Sequence, residues 1–473
     1  MRYYLQKIGV IAIIFFSLIA IYPQCKIYAS EKQNDNKDFV ITNNVLVQYK
    51  GLGGCVVIPD NVTSIGKKAF QSCEDLTEII IPAGVKTIEF SAFSGCRNLT
   101  RVSLSRGLEK IGNSAFGGCF SLADIEIPEG VNSIGNSAFA NCQNLTSIVI
   151  PSTVSIISDS AFYSCSKLKN VMFKGTVTSI ENNAFFACNN LETLEPLTDI
   201  TSIGKDVISD SPLLDSIRDV DGLVILNGIL IDGKQSKGNV VIPNNVVQIN
   251  HGAFGFNQEI KSIIIPNSVN SIGAAAFNGC WKLNTVRMAN SVESIGEFAF
   301  DNCIRLKYIR LSNSLKEIED GTFFRCKSLI NVTIPNSVTR IAPFAFQSCF
   351  NLEKVTGSDK AFVFETKEIN PFQSCSPSLT FYGKEGSKYM DTFTKANNYA
   401  LEQLKLTTQK QTIGIGEQFW LRFNSDAKCT WTSSNKSIAS VDIYGRVTGK
   451  KKGTVTITAH LYGETYKSTI IVK

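Results

Sequence analysis

Cysteine is the residue type whose spacing in this 473-residue sequence first suggests chemistry. Ten of the 14 cysteines recur at every twenty-third position, with one gap of four such steps, and they are Cys73, Cys96, Cys119, Cys142, Cys165, Cys188, Cys280, Cys303, Cys326 and Cys349. In an exported protein, this many cysteines suggests disulfides. If they occupy one position in successive stacked coils, however, neighbouring Cβ atoms lie about 5 Å apart, beyond the roughly 3.5–4.5 Å of a disulfide.

We therefore predict that these cysteines are buried thiols, which fill space as small apolar side chains. Disulfides between adjacent coils and a ladder of metal sites are the alternatives, although no histidine accompanies the cysteines as in most zinc sites. Cys55, Cys375 and Cys429 fall outside the series, and any redox chemistry is expected at these three.

Catalytic bases and metal ligands are scarce in the sequence. The two histidines, His251 and His460, lie in no nucleophile motif, and His251 is expected at the surface. The stretch "DVDG" at 219–222 resembles the start of a calcium loop, but Gly228 stands where the closing glutamate belongs, so an ordinary turn is favoured over a calcium site. We predict no catalytic, cofactor-binding or metal-binding residue.

A pair of carboxylates offers another possible chemistry. Asp124 and Glu126 alternate on one predicted strand and would lie about 7 Å apart, which could suit the two carboxyl groups of a glycosidase. Arg101 would stand in the neighbouring coil. A solvated ion-pair ladder is the favoured interpretation of these three residues.

Arginine and tyrosine come together in the second half of the chain. Arg287, Tyr308 and Arg310 are expected on the outward face of adjacent coils, and this composition is enriched at binding hot spots. We treat these three residues as candidate ligand-binding residues. We treat Arg101, Asp124 and Glu126 of the first half, the charged trio, in the same way. Exposed sheet residues without a ligand are the alternative.

A sequence repeat must position all these candidates. An Ala-Phe pair, or Thr-Phe in one copy, recurs with the same period as the cysteines, and its phenylalanines are Phe70, Phe93, Phe116, Phe139, Phe162, Phe185, Phe254, Phe277, Phe300, Phe323 and Phe346. An isoleucine stands four residues before each pair, from Ile65 to Ile341. This regularity predicts a mainly β solenoid, a curved leucine-rich-repeat array of 23-residue coils with a parallel sheet.

Within one coil, the stretch "LTEIIIP" predicts a short strand. Leu76, Ile79 and Ile81 can point inward while Glu78 and Ile80 point outward. The proline that often follows has no N–H group to donate and is expected to end the ladder.

Two segments related by an offset of eight periods predict hairpins. Residues 39–59 align with residues 223–243, and their centres, Asn43-Asn44 and Asn227-Gly228, are typical two-residue turns. The first hairpin is expected to cap the N-terminal edge of the solenoid, because an open parallel edge invites aggregation.

The unit "IPxxVxxIGxxAFxxCxxLxxVxIP", the hairpin entry and the closing stretch at 379–402 resemble the BspA-like leucine-rich-repeat family of bacterial surface proteins over residues 39–402. Residues 403–473 resemble a bacterial immunoglobulin-like domain of group 2, a small β-sandwich with Trp431 in its core. The repeat departs from its pattern at Val207-Ile208, at Ser211 and near 353–375. The resemblance implies adhesion to a host or bacterial surface protein or glycan, with possible cell-wall association through the tail; a structural spacer without a ligand is the alternative.

The N-terminus and the charge set the expected location. Residues 1–29 predict a cleaved signal peptide, with a lipid anchor at Cys25 as the less favoured alternative, and residues 30–38 a linker. We expect a first block of leucine-rich repeats with its N-terminal hairpin cap at 39–222. A second block, with its hairpin entry and closing segment, is expected at 223–402, and the immunoglobulin-like domain at 403–473. No later stretch is long enough for a membrane span. A net charge of +6, which we interpret as spread without Lys/Arg runs, argues against nucleic acid. We predict a secreted or cell-surface protein.

Overall fold

The computed structural model describes residues 36–357, 370–384, 386–425, 429–461 and 464–473. The expected signal peptide, and residues 358–369 within the late departure from the repeat, lie outside these ranges. The chain divides into two compact units, of which the first ends at Arg218 and the second begins at Asp219.

Each coil of the first unit has a longer strand and a two-residue strand, both of which point apolar side chains into a shared interior. In one coil, Val85, Ile88, Phe93, Leu99 and Val102 are all buried. One coil is too thin to enclose a core by itself, so these side chains are buried only because the next coil covers them.

Both kinds of strand pair in parallel with the equivalent strand of the next coil, one period further along the chain, as in Ile79 opposite Val102 and Ile65 opposite Ile88. Each ladder is interrupted once, between Asp124–Ile125 and Ser147–Ile150 and between Ser133–Ile134 and Ile156–Ile157. The longer strands are Gly54–Val57, Leu76–Ile80, Arg101–Ser103, Ser147–Ile150, Asn170–Phe173 and Thr193–Glu195, and Asp124–Ile125 takes the same place in its coil with only two residues. The two-residue strands are Ser64–Ile65, Thr87–Ile88, Lys110–Ile111, Ser133–Ile134, Ile156–Ile157, Ser179–Ile180 and Ser202–Ile203. The predicted parallel register is confirmed within this unit.

Proline follows the longer strand in several coils, as predicted. The strand Ser147–Ile150 ends immediately before Pro151. The carbonyl oxygen of Pro151 accepts a hydrogen bond from the amide of Val154 at 3.1 Å, and Pro82 and Val85 repeat this bond at the same distance. Proline therefore both ends the strand and begins the turn to the next one.

A stack of aromatic rings runs through the interior of the first unit. Phe116 lies 5.1 Å from Phe93 and 5.4 Å from Phe139 between ring centroids, and the rings are nearly parallel, at interplanar angles of 4° and 7°. The stack reaches from Tyr49 to Phe185. Its spacing is close to the roughly 4.8 Å between strands, because each coil contributes one ring.

An antiparallel hairpin begins each unit. Phe39–Thr42 pairs with Val45–Tyr49. Val45–Tyr49 also pairs in parallel with the first two-residue strand, Ser64–Ile65, so the hairpin lies at the N-terminal edge as predicted. In the second unit, Val224–Leu226 pairs with Ile229–Asp232 in the same way. Gly228 has φ +79°, the left-handed conformation that such a turn requires and that glycine adopts without strain.

The departure from the repeat at Val207-Ile208 has a local cause. Both side chains are buried in place of alanine and phenylalanine. The hydroxyl of Ser211 donates to the carbonyl oxygen of Ile208 at 2.6 Å and accepts from the amide of Leu214 at 3.3 Å, so it caps the helix Pro212–Ser216. A thiol is a weak acceptor and a poor cap, which accounts for the serine.

The second unit repeats the same coil. Its longer strands are Gly238–Val241, Ile260–Ile265, Thr285–Met288, Tyr308–Arg310, Asn331–Thr333 and Lys354–Thr356, and its two-residue strands are Gln248–Ile249, Ser271–Ile272, Ser294–Ile295, Glu317–Ile318 and Arg340–Ile341. The last coils pair with Thr380–Gly383 and then with Ala400–Gln403, and the helix Lys388–Ala396 connects these two strands.

The C-terminal tail forms two facing sheets, as expected for a small immunoglobulin-like sandwich. One sheet has the order Lys410–Ile413, Glu464–Val472, Gly453–Leu461 and Thr430–Ser433; the other has Gln418–Trp420, Arg446–Gly449 and Ala439–Val441. The first and last strands of the tail pair in parallel, and the others pair antiparallel.

Trp431, which we predicted in the core of this sandwich, lies at the edge of that core. It is half-buried and packs against the margin of the core beside the turn at Gly445. A Cβ atom at Gly445 would lie 2.9 Å from the Trp431 ring, so glycine is required there both for space and for a φ of +83°.

The tail packs directly on the end of the repeats within the second unit. Tyr382 of the last coils and Leu404 share an apolar cluster with Phe423 and Leu461 of the tail. An ion pair between Lys384 and Glu464, 3.1 Å long, lies at the same junction.

Candidate recognition surface

The cysteine series forms an interior column, but its thiols do more than fill space. Sγ of Cys142 donates to the carbonyl oxygen of Phe116 in the preceding coil, at 3.3 Å. The same bond recurs at 3.0–3.3 Å from Cys96 to Cys188 and from Cys280 to Cys349. These nine thiols are free and buried, which confirms the prediction for them and excludes the alternative of disulfides between adjacent coils, while Cys73, the first of the series, is free but only partly buried.

Burial raises the pKa of these thiols. It raises the pKa of Cys96, Cys188 and Cys280 to about 12. It raises the pKa of Cys142 and Cys303, which lie deeper in the column, well above the ordinary range. Because the thiolate is the reactive form, the column is inert in the folded protein at neutral pH.

The three cysteines expected outside the column differ from one another. Cys375 belongs to the column, which corrects the prediction: its Sγ donates to the carbonyl oxygen of Phe346 at 3.1 Å. Phe372 stacks on Phe346 at 5.1 Å although their separation in sequence exceeds one period by three positions, so the ring stack continues across this longer repeat. Cys429 is a partly buried free thiol of the tail, and Cys55 is disulfide-bonded.

The charged trio of the first unit lies where the register places it. Arg101 stands opposite Glu78 on one side and Asp124 on the other, and Asp124 and Glu126 are exposed. In the described part of the chain, no ion pair within 4.0 Å joins Arg101 to either carboxylate. The predicted ion-pair ladder is therefore wrong at these residues.

Ion pairs between coils form at other columns instead. They join residues one period apart, such as Lys86 with Glu109 at 3.1 Å and Lys169 with Glu192 at 3.1 Å. Exposed pairs of this kind contribute about 0–1 kcal/mol each, so their main effect is to neutralise surface charge locally.

His251 lies at the surface and residues 219–222 form a turn, as predicted. His251 is exposed, and its Nδ1 accepts a hydrogen bond from the amide of Ala274 at 3.2 Å. Oδ1 of Asp219 accepts from the amides of Asp221 at 3.0 Å and Leu223 at 2.8 Å. This segment is a turn that leads into the second hairpin.

Arg287, Tyr308 and Arg310 do lie together on the outward face of the second unit. Arg287 stands directly opposite Arg310 in the parallel ladder, and Thr285 stands opposite Tyr308. Tyr308 is 48% exposed, and both arginines are exposed. Within the described ranges, neither arginine has a carboxylate within 4.0 Å.

An open groove of about 390 Å³ adjoins this cluster on the same sheet. Its lining is polar and basic, and consists of Asn239, Lys261, Ser262, Lys282, Asn284, Thr285 and Arg305. The hydroxyl of Ser262 donates to Oδ1 of Asn239 at 2.8 Å, and that of Thr285 to Oδ1 of Asn284 at 2.9 Å. In the part of the chain that the structure describes, neither asparagine Nδ2 has a hydrogen-bond partner, so both can donate to a ligand.

Six cations of three successive coils surround the groove and the arginine pair. We call them the basic patch, and they are Lys261, Lys282, Arg287, Arg305, Lys307 and Arg310, all exposed. Positive charge is thus gathered on this face by the fold, since no two of these six residues are adjacent in the sequence.

Sequence reasoning missed four members of the basic patch. Lys282 and Arg305 immediately precede an inward leucine, while Lys261 and Lys307 immediately follow an inward isoleucine or leucine. Strict alternation along the strand did not place these positions outward. Their positions directly beside the buried leucine or isoleucine of each coil were the signal that could have found them.

The repeats match a known family over most of the chain. The family model described as "BspA type Leucine rich repeat region (6 copies)" matches residues 54–167, 109–227, 232–353 and 295–419. The chain belongs to the BspA-type leucine-rich-repeat family. The model described as "Bacterial Ig-like domain (group 2)" matches residues 418–468, in agreement with the two sheets of the tail. Among curated proteins, none matches the chain significantly.

Several solved bacterial structures are similar to this BspA-type protein. A leucine-rich repeat protein from Bacteroides ovatus ATCC 8483 is 27% identical, with 74% of this chain and 91% of that chain covered and a TM-score of 0.45. A leucine rich cell surface protein from Faecalibacterium prausnitzii A2-165 is 26% identical, with 75% and 94% covered and a TM-score of 0.43. A leucine-rich repeat protein from T. pallidum is 32% identical over 37% of this chain and 88% of that chain, with a TM-score of 0.36.

Membership of the BspA-type family fits a surface or recognition role, since such repeat arrays are typically non-enzymatic, extracellular binding scaffolds. Neither α-helix within the described ranges has the length and apolar character that crossing a membrane requires.

Proposed function

We propose that this protein is an exported, non-catalytic recognition protein that adheres to a protein or glycan of a host or neighbouring cell through its repeat surface. The observation that supports this most strongly is the exposed cluster of Arg287, Tyr308 and Arg310 on register-paired strands. Arginine and tyrosine are enriched among the residues that dominate binding energy. A sheet fixed by interior columns presents them without a large cost in ordering.

The rest of the chain has supporting roles in this proposal. Arg101, Asp124 and Glu126 form a second contact region of mixed charge on the first unit, and the immunoglobulin-like tail is a spacer or a module that associates with the cell wall. A protein that acts as a spacer alone would bind no ligand through its repeats.

Replacement of Arg287 and Arg310 by alanine together is expected to weaken ligand binding about 30-fold or more, because truncation of a hot-spot residue typically costs about 2 kcal/mol. The melting temperature should stay the same, since both side chains are exposed and lack an ion-pair partner in the described part of the chain. An array of matrix proteins and glycans would identify the ligand, and calorimetry would then compare the variants.

A matched control removes two positive charges elsewhere: Arg106→Ala with Lys110→Ala, both exposed residues of the first unit. This control should bind like the original protein. Equal loss in both double variants would indicate a nonspecific charge effect, and absence of saturable binding to every array member would favour the spacer.

A further inference from the structure

The basic patch is the strongest unassigned feature of the surface because its charge is left largely unneutralised. Lys282 pairs with Glu259 at 2.8 Å, but within the described ranges no other member of the patch has a carboxylate within 4.0 Å. The pKa of Glu259 is lowered by its hydrogen bond to Lys282 and by the charges of Lys282, Lys237 and Lys261. A positive field of this kind attracts an anion.

The arrangement of the charges favours a polymer over a small anion. The cations lie on the coils of strands Ile260–Ile265, Thr285–Met288 and Tyr308–Arg310, which pair in sequence. Because paired strands are about 4.8 Å apart, the positive charges repeat along the axis of the stack over about 10 Å. A linear molecule with regularly repeated negative charges matches this row better than one phosphate or one carboxylate does.

The uncharged part of the site suits sugar hydroxyl groups. The floor of the groove carries the amides of Asn239 and Asn284 and the hydroxyls of Ser262 and Thr285. Such groups both donate and accept hydrogen bonds, as sugar hydroxyls do. The exposed ring of Tyr308 provides a flat apolar surface beside them, on which the face of a sugar ring can lie.

We propose that the basic patch binds a linear sulfated polysaccharide, with the sulfate groups against the lysines and arginines and the sugar hydroxyls along the groove. The planar fork of arginine matches the oxygens of a sulfate as it does those of a phosphate. Six cations within three coils fit a polymer with more than one negative charge per disaccharide, which hyaluronate, with its single carboxylate per disaccharide, is not. Nucleic acid fits less well, because binding to single strands depends on several aromatic stacking surfaces and this patch contains one aromatic residue.

This inference rests on the proposed recognition function, and its test uses the full chain. Binding of a size-defined heparin oligosaccharide is measured by calorimetry at several salt concentrations. Affinity should fall steeply as salt rises, since counterions are displaced on binding. The triple variant Lys261→Ser, Arg305→Ser, Arg310→Ser is expected to bind about 10- to 30-fold more weakly at about 0.15 M salt, from three exposed charge contacts of ordinary strength.

The control variant removes three charges from the run Lys450, Lys451 and Lys452 in the tail, each replaced by glutamine. It should bind heparin like the original protein, and a loss confined to this control would overturn the assignment by moving the site to the tail. Equal affinity for hyaluronate, which has carboxylates but no sulfate, or stronger affinity for single-stranded DNA would overturn the ligand class. If heparin fails but another array ligand binds and the triple variant loses it, the sulfated ligand is wrong and the recognition function stands. If no ligand binds, both fail.

Discussion

Raising the pH from 7.5 to 9.5 in the presence of a reductant is expected to lower the free energy of unfolding of the first unit by about 7 kcal/mol, which is comparable with the whole stability of a typical domain. The cause is the cysteine column. Five of its thiols in this unit, from Cys96 to Cys188, are buried and free. Each contributes about 1.4 kcal/mol to this loss.

The direction follows from where the protons are held. An unfolded thiol has a pKa of about 8.5, whereas burial raises the pKa of Cys96 and Cys188 to about 12 and that of the thiols between them further. Above pH 8.5 the unfolded chain therefore loses protons that the folded chain retains. Stability is complete below the unfolded pKa and is lost as the pH rises toward the folded pKa.

Urea titrations at pH 7.5, 8.5 and 9.5 would measure this loss, with a short pulse of alkylating reagent and mass spectrometry to identify the thiols exposed in each unit. Cys142→Ala should reduce the change in unfolding free energy between pH 7.5 and 9.5 by about 1.4 kcal/mol, whatever it does to stability at pH 7.5. A stability that stays constant to pH 9.5 would show that the column thiols ionise equally easily in both states.

Phe116→Ala is expected to destabilise the first unit by about 3–5 kcal/mol, because the removal of a buried ring leaves a cavity that the neighbouring coils cannot fill. Phe116 is fully buried and is stacked on both sides, at 5.1 Å and 5.4 Å. The substitution therefore also removes two ring contacts, which contribute about 0.5–1.5 kcal/mol each. The same urea and alkylation measurement at pH 7.5 would report the change.

Phe120→Ala is the matched control for this prediction. Phe120 lies four residues further along the same coil and is 36% exposed, so its removal should change the unfolding free energy by far less. Similar shifts in the urea midpoint for both variants would contradict a continuous interior stack.

The interior of the coils could be predicted from the sequence because it obeys one period. A residue type that recurs once in every coil, such as the phenylalanine of the Ala-Phe pair, contacts the same residue type in the next coil. The hairpin turns could also be predicted, since Asn227-Gly228 permits the left-handed backbone that links antiparallel strands.

Features that depend on side-chain direction could not be predicted in this way. The period placed the cysteines in one column but did not show that each thiol points at the carbonyl of the preceding coil. It set Arg101 opposite Asp124, yet long exposed side chains choose among many rotamers, and these two do not pair. The basic patch could not be predicted from the repeat, because Lys282 and Arg305 precede the strand. There, alternation along the strand no longer indicates which way a side chain points.

The pairing of the first and last strands of the tail determines how this part of the molecule responds to force. Lys410 lies opposite Thr469 and Ile413 opposite Val472, in parallel. Tension applied between the repeats and the C-terminus pulls these two strands in opposite directions along their length, so the hydrogen bonds between them are sheared together and do not open one after another. The tail is consequently built to resist tension applied in this direction.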